Sequence, residues 1–391
     1  MVTAALAQVA RASVVDWAAA MKVVMTLLVR DEVDIVEPWL AFHLNAGADF
    51  VVATDNRSQD GTTEVLERYA REGLVHVISE PGEDLRDGEW VTRMARLAAT
   101  DFGADWVINS DADEFWWPRG GSLARVLDAI PERYGTVGAF LRTFVPRPGS
   151  ADFAERMTVR FSALAPINDP SSLYRPIRKI VHRADPEVTL VRGHHAVKDS
   201  SLAPLRGWFP IETFHFPLRT PEQCARKAVV MGTAFEQHID RPSTGYLAKM
   251  FEAVKAEAIG DYYASLVVAD AELEDGIAEG RLVVDTRLRD ALRNLHLAPE
   301  DSSRTGRTFA LPGEAAELTF SLPTLVEEAE YAVEAAALGE ADVIRLQRRL
   351  DLLERRLASL ERRLPARVYR RASRAAKSLL RREPSPPEPQ P

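Results

Sequence analysis

The chain has a single cysteine, Cys224, so an intrachain disulfide framework is excluded, and no Cys/His spacing suggests structural zinc. Nowhere does it contain the roughly 18–20 uninterrupted apolar residues needed to span a bilayer. It has no basic excess either: 49 Lys and Arg against 58 Asp and Glu leave a net charge of −9, which weighs against nucleic-acid binding by the body of the protein. The first strand-like run is not followed by a glycine-rich basic loop, since Val29-Arg30-Asp31-Glu32 holds no glycine. Residues 1–20 are Ala/Val-rich but lack a basic start and are interrupted by Arg11 and Asp16, which argues against a signal peptide. They are expected to form a loose N-terminal extension ahead of Met21. These absences point to a cytoplasmic protein. Its 391 residues, 46% of them apolar, suffice for a full-sized core and two or three domains.

What is present first is an alternation of strand and helix signals. Residues 22–29 form a continuous apolar, β-branched run, as expected of a parallel strand covered on both faces. Ile35, Trp39, Leu40, Phe42 and His43 follow at helical spacing, up to Gly47. A strand at Phe50–Ala53, a helix at Thr63–Glu72, a strand at Val75–Ile78 and a helix at Trp90–Phe102 come next, and then a strand from Trp106. This β-α-β-α-β-α-β order predicts an open, mostly parallel α/β sheet whose ligand sites lie at the carboxyl ends of its strands. From 120 to 220 the pattern is less regular: a helix near Leu123–Ile130, then strand-like pieces at Val137–Phe144, Thr158–Phe161, Ile177–Val181 and Glu212–Phe216. Helical spacing returns over 222–295.

The most informative stretch is Trp106–Trp117, which reads WVINSDADEFWW. An apolar strand ends in Ser110 and then in Asp111, Asp113 and Glu114. Alternate residues of a strand share a face, so Asp111 and Asp113 converge. Two converging carboxylates repel unless a cation lies between them, and hard oxygen ligands suit Mg²⁺ or Mn²⁺, which in turn would hold a diphosphate. A bare Asp-x-Asp is usually a solvated acidic turn. The buried strand before it and the aromatic cluster after it weigh against that reading. A second Asp-bearing loop, Asp55–Thr62, also falls at a strand end, which argues for one shared site. Asp60-Gly61-Thr62 equally fits an Asx turn capping the next helix. Trp116 and Trp117 fit either stacking on an acceptor sugar or packing in the core.

Residues 298–325 carry Pro, Gly and Ser and read as a boundary. Beyond them Val343, Leu346, Leu350, Leu353, Leu357, Leu360 and Leu364 recur at alternating spacings of three and four, a coiled-coil seam flanked by Arg and Glu. Pro365 breaks that helix. Ala366–Arg382 then holds seven basic residues and no acidic one, which fits a basic amphipathic helix on an anionic membrane surface, with a solvated tail and an RNA-binding tail as the other readings. The Pro-rich end is expected to be disordered.

Taken in order, these motifs resemble the glycosyltransferase family 2-like group, in the branch related to glycosyltransferase family 92. The branch reads approximately V-K-N-E, E-W-L-x-Y-H, D-N-x-S-x-D-G-T and D-x-D-E-F. Here the counterparts are Val29-Arg30-Asp31-Glu32, Glu37–His43, Asp55-Asn56-Arg57-Ser58-Gln59-Asp60-Gly61-Thr62 and Asp111-Ala112-Asp113-Glu114-Phe115. Arg178-Lys179-Ile180, Gly193-His194-His195 and His215-Phe216-Pro217-Leu218-Arg219-Thr220 resemble the later elements. Asp31 departs from the family, which has Asn there. The resemblance covers residues 22–230.

It implies a GT-A fold and inverting transfer of a sugar from a nucleotide-diphosphate donor to a glycan or glycolipid acceptor, in surface polysaccharide synthesis. It implies Mn²⁺ or Mg²⁺ as cofactor, held by Asp111, Asp113 and His215. It implies donor contacts from Arg30, Glu32, Asp55, Asn56, Asp60, Asp111, Lys179 and Arg219. The general base is open among Glu114, Asp169 and Glu212. The expected domains are a GT-A domain over 21–300 (nucleotide-binding half 21–118, acceptor half 119–300), a linker and helical segment at 301–340, a coiled coil at 341–364 that makes a homo-oligomer, a basic helix at 365–382 for peripheral membrane contact, and a tail at 383–391. A nucleotidyltransferase also uses paired Asp on an α/β sheet, but the loop after the first strand lacks its glycines. A non-catalytic transferase-like scaffold on the coiled coil is the third reading, and the presence of both Asp111 and Asp113 counts against it.

Overall fold

The VVMTLLV run, Val23–Val29 (β1), is mostly apolar on both faces and becomes an interior strand of a sheet. Val23, Met25, Leu27 and Val29 enter one core with helix Val33–Asn45 (α1), while Val24 enters the other with helix Asp87–Thr100 (α3). A computed structural model describes residues 21–296, apart from 83–86, 163–171, 175–176, 192–194, 199–202, 206–207 and 238–245. All described residues lie in the first of two compact units, Met1–Ala335. The expected extension at 1–20, linker at 301–340, coiled coil at 341–364, basic helix at 365–382 and tail at 383–391 lie outside the described residues.

The predicted alternation holds with small shifts of boundary. Strand Phe50–Asp55 (β2), helix Thr62–Arg71 (α2), strand Val75–Ser79 (β3), α3 and strand Trp106–Asp111 (β4) follow in turn. Gly61 caps α2 with φ 105°, a backbone state that favours glycine. Strand Glu114–Pro118 (β5) comes next, then helix Leu123–Asp128 (α4), with the Ser122 side chain accepting from Arg125 N. Strand Tyr134–Thr143 (β6), helix Phe153–Arg156 (α5) and strands Val159–Phe161 (β7), Arg178–Arg183 (β8), Thr189–Leu190 (β9), Val197–Lys198 (β10), Ala203–Pro204 (β11) and Ile211–His215 (β12) complete the middle of the chain. The last described elements are helices Pro221–Gln237 (α6), Tyr246–Lys255 (α7), Ile259–Ala264 (α8) and Asp270–Ala278 (α9), strand Leu282–Val284 (β13) and helix Arg287–His296 (α10).

The main sheet has the order β3-β2-β1-β4-β8-β6-β12-β5, with β11 beside β6. Pairing is parallel from β3 to β4 and between β6 and β12, and antiparallel on both sides of β8 and at β5. This is the open, mostly parallel α/β sheet read from the sequence. Register sets the site: Val29 pairs with Asp55, Leu28 with Asp111, and His215 with both Glu114 and Thr143. The carboxyl ends of β1, β2, β4 and β12 therefore meet. Trp116 and Trp117 are 0% and 3% exposed and belong to the core, so they present no face to an acceptor.

Candidate functional site

The D-N-x-S-x-D-G-T loop is consumed by its own hydrogen bonds. Asp55 Oδ1 accepts from Ser58 N at 3.1 Å and Ser58 Oγ at 2.6 Å, and Oδ2 accepts from Thr63 Oγ1 at 2.5 Å. Asp60 Oδ1 accepts from Thr62 N and Oγ1, the expected Asx cap, and its Oδ2 accepts from Val33 N at 3.0 Å. Asn56 donates to the carbonyls of Glu80 and Gly82 and accepts from Arg30 Nη1 at 3.2 Å. Asp31 has φ 53°, a left-handed conformation that Asn and Asp tolerate best, and its Oδ1 accepts from Gln59 N at 2.8 Å. Both uses suit the Asn of the family equally well. The motif thus zips the ends of β1 and β2 together and shapes the rim of the site.

The E-W-L-x-x-H motif braces the acidic turn from behind. The Trp39 indole donates to the Glu114 carbonyl at 2.7 Å. His43 Nδ1 lies 2.9 Å from the Trp39 carbonyl, which can only accept, and Nε2 lies 2.9 Å from Trp116 N, which can only donate. The partners therefore fix a neutral imidazole with its proton on Nδ1, and burial lowers its pKa to about 3.

At the turn itself Asp113 meets Glu114 and His215, while Asp111 lies beside Lys179. One ligand atom each of Asp113, Glu114 and His215 lie within 4.8 Å of one another. Asp113 is 3% exposed, and its Oδ1 stands 3.8 Å from His215 Nε2. Burial alone would raise the Asp113 carboxyl, but Lys227, at 2.5 Å from Oδ2, and His215 hold it well below the carboxylate range. Glu114 Oε1 pairs with Lys179 Nζ at 2.7 Å, and the same ammonium is 3.5 Å from Asp111 Oδ2. Burial pushes the Glu114 carboxyl up to about 8, against the pull of Lys179. His215 is lowered by burial to about 4 and is neutral at physiological pH. Its Nδ1 lies 3.1 Å from Thr143 Oγ1, and its Nε2 faces the carboxylates.

Arg219 and Glu32 are placed one step back. Arg219 is fully buried, and its guanidinium binds Glu32, Asp34 at 2.6 Å and the Phe216 carbonyl at 3.1 Å, which joins the segment after β12 to the start of α1. Around the turn, Asp111, Asp113, Glu114, Glu32 and Asp34 face the cations Lys179, Lys227 and Arg219. The donors that meet at the turn are hard oxygens with one neutral imidazole. That donor set fits a divalent cation.

Glu212 is not brought to this cluster. It lies on the other face of β12, three residues from His215, where Arg142 and Arg287 bind its two oxygens at 2.7 and 2.6 Å. Burial would raise its carboxyl, but the two arginines hold it at about 2. His195 is exposed, its Nδ1 3.0 Å from the Arg178 carbonyl, and His194 and Asp169 lie outside the described residues. Lys227 was not legible: it lies in the middle of the amphipathic helix α6, and only the tertiary fold brings it to Asp113.

In open α/β sheets ligands bind in the crevice outside the carboxyl ends of the strands, which is where this charged site lies. Residues 25–183 match the model of glycosyltransferase family 92, the family whose motifs the sequence resembles. The matched segment runs from β1 to β8 and includes the acidic turn; His215, Arg219 and Lys227 lie beyond it. Among solved structures, TarS 1-349 of S. aureus is 15% identical over 54% of this chain and 65% of its own, with a TM-score of 0.28. The chain thus spans less than two thirds of that structure. The mannosyltransferase PcManGT from Pyrobaculum calidifontis, in complex with GDP-Man and Mn²⁺, is 16% identical over 82% of this chain and 86% of its own, with a TM-score of 0.32. Glucosyl-3-phosphoglycerate synthase from Mycobacterium tuberculosis, in complex with Mg²⁺ and UDP, is 20% identical over 33% of this chain and 45% of its own, with a TM-score of 0.22. No curated protein gives a significant match.

Proposed function

We propose that this protein is a metal-dependent, inverting glycosyltransferase that moves a sugar from a nucleotide-diphosphate donor to a glycan or glycolipid acceptor, in surface polysaccharide synthesis. The observation that carries this reading is the meeting of Asp113, Glu114 and His215 at the carboxyl ends of the strands, beside Asp111 and within or next to the family-matched segment. Asp111, Asp113 and His215 hold Mn²⁺ or Mg²⁺. The metal, when bound, supplies Lewis-acid charge that makes the diphosphate a better leaving group.

The chain's own groups do the rest. Lys179 offsets phosphate charge beside Asp111. Arg219, tied to Glu32 and Asp34, acts through them by fixing the mouth of the site, while Arg30, Asn56, Asp55 and Asp60 shape the nucleotide rim. The acceptor hydroxyl attacks the anomeric carbon, the bond to the diphosphate oxygen breaks with its electron pair leaving on the diphosphate, and the hydroxyl proton passes to a carboxylate. Of the two described candidates for that base, Glu114 stands in the cluster with a carboxyl near 8, in the range where proton exchange at working pH is efficient, whereas Glu212 is locked between arginines.

Transfer and hydrolysis assayed over a panel of UDP-, GDP- and dTDP-sugars with Mn²⁺ is expected to show activity that Asp113→Ala lowers by about a thousandfold or more. No activity with any donor, or full activity in the variant, overturns the reading. No helix among the described residues is long and apolar enough to cross a membrane. Self-association through 341–364 and membrane contact through 366–382 belong to the same proposal, and are read by light scattering and liposome sedimentation of the full chain against truncations.

A further inference from the structure

We infer that Lys227 is a built-in competitor of the divalent cation: its ammonium occupies Asp113 when the metal is absent and sets how tightly the site holds metal. The inference rests on the metal site proposed above. Lys227 comes from α6, outside the family-matched segment, and reaches across to place Nζ 2.5 Å from Asp113 Oδ2 and 3.3 Å from the Pro217 carbonyl. Its side chain is 20% exposed and that of Asp113 is 4% exposed, so the pair is shielded from solvent on the carboxylate side and open on the lysine side. The geometry is asymmetric. Oδ2 carries the ammonium, while Oδ1 faces His215 Nε2 at 3.8 Å, too long for a hydrogen bond.

A cation entering at Asp113 and His215 arrives beside a fixed positive charge on the same carboxylate. At such range, in a shielded site, like charges interact strongly. Lys227 must then either leave Asp113 or weaken the metal. Lysine suits this exchange better than arginine: it is a point charge on a flexible stem, without the planar fork that locks arginine to a carboxylate. The neighbouring Arg219 shows the contrast, bound to Glu32, Asp34 and the Phe216 carbonyl at once. A resident lysine also explains how a buried Asp113 stays ionised and ordered before metal arrives.

The test is Mn²⁺ binding to the full chain, followed by electron paramagnetic resonance of free Mn²⁺ with no donor or acceptor present. Wild type, Lys227→Gln, Lys227→Arg and Asp113→Asn are compared, with thermal melts to confirm folding. Lys227→Gln is expected to bind Mn²⁺ at least about tenfold more tightly than wild type. Lys227→Arg binds as tightly as wild type or more weakly, and Asp113→Asn loses the site. Lys227→Met, which keeps the length of the stem, replaces the glutamine variant if the latter does not fold. Unchanged or weaker binding in Lys227→Gln, with Asp113→Asn still losing the site, overturns the competitor role alone. No saturable binding in wild type, or binding indifferent to Asp113→Asn, overturns the metal site and this inference together.

Discussion

Two buried charge clusters lie on opposite faces of β12, and they are built on opposite plans. On the His215 side, Asp111, Asp113, Glu114, Glu32 and Asp34 share the cations Lys179, Lys227 and Arg219, and two of those cations are lysines. On the Glu212 side, Arg142, Arg160 and Arg287 outnumber Glu212 and Asp285. There Arg287 grips Asp285 with two parallel bonds of 2.9 and 2.7 Å while its third nitrogen holds Glu212 at 2.6 Å. The guanidinium of Arg287 also stands 4.7 Å from the Phe214 ring centroid. Every carboxylate oxygen of this second cluster has an arginine partner. A cluster saturated by planar forks is a fastener, joining β6, β12, β7 and α10. A cluster held in part by flexible ammonium groups leaves room for its cations to exchange. Burial and perturbed titration are common to both, and so do not separate site from scaffold; the kind of cation that holds the carboxylates does.

The contrast can be broken from either side. Glu212→Gln removes the buried negative charge between Arg142 and Arg287 and is expected to cost about 3–5 kcal/mol of folding stability by denaturant unfolding. Mn²⁺ affinity of the folded variant stays unchanged; a loss of affinity without a loss of stability would put Glu212 in the site instead. On the other side, Glu114→Gln is expected to lower turnover by about a hundredfold. In wild type a base must be deprotonated to act, so turnover at saturating donor rises with pH as Glu114 loses its proton and levels off above that point. The variant loses that rising limb, and a limb that survives in it assigns the base to another group. The smallest effect belongs to Thr143→Val, which removes the partner of His215 Nδ1 and is expected to weaken Mn²⁺ binding by about tenfold without changing the melting curve.

The sequence carried much of this frame for reasons that are local. β1 and β4 are read correctly because a strand covered on both faces must be continuously apolar, and the acidic turn is legible because it interrupts such a strand. β5 is missed because it starts immediately after that turn. Its Phe115, Trp116 and Trp117 read as an aromatic cluster, whereas all are buried, with His43 and Trp39 fastening the strand to α1. The two-residue strands β9, β10 and β11 and the three-residue β13 carry too few residues for any periodicity. In the site, Asp111, Asp113, Glu114 and His215 were legible from spacing and resemblance together. The partners that decide their charge state were not. Arg219 binds carboxylates of α1 rather than lying open to a phosphate, and Lys227 reaches Asp113 over 114 residues of chain. Such pairings depend on tertiary distance, to which neither hydrophobic period nor motif spacing responds.

The most direct test of the central claim is a calorimetric titration of UDP-, GDP- and dTDP-sugars into the full chain, with and without Mn²⁺. The account predicts that at least one donor binds, more tightly with Mn²⁺ than without, and that Asp113→Ala removes the metal-dependent part. Failure of every nucleotide sugar to bind under both conditions would contradict it.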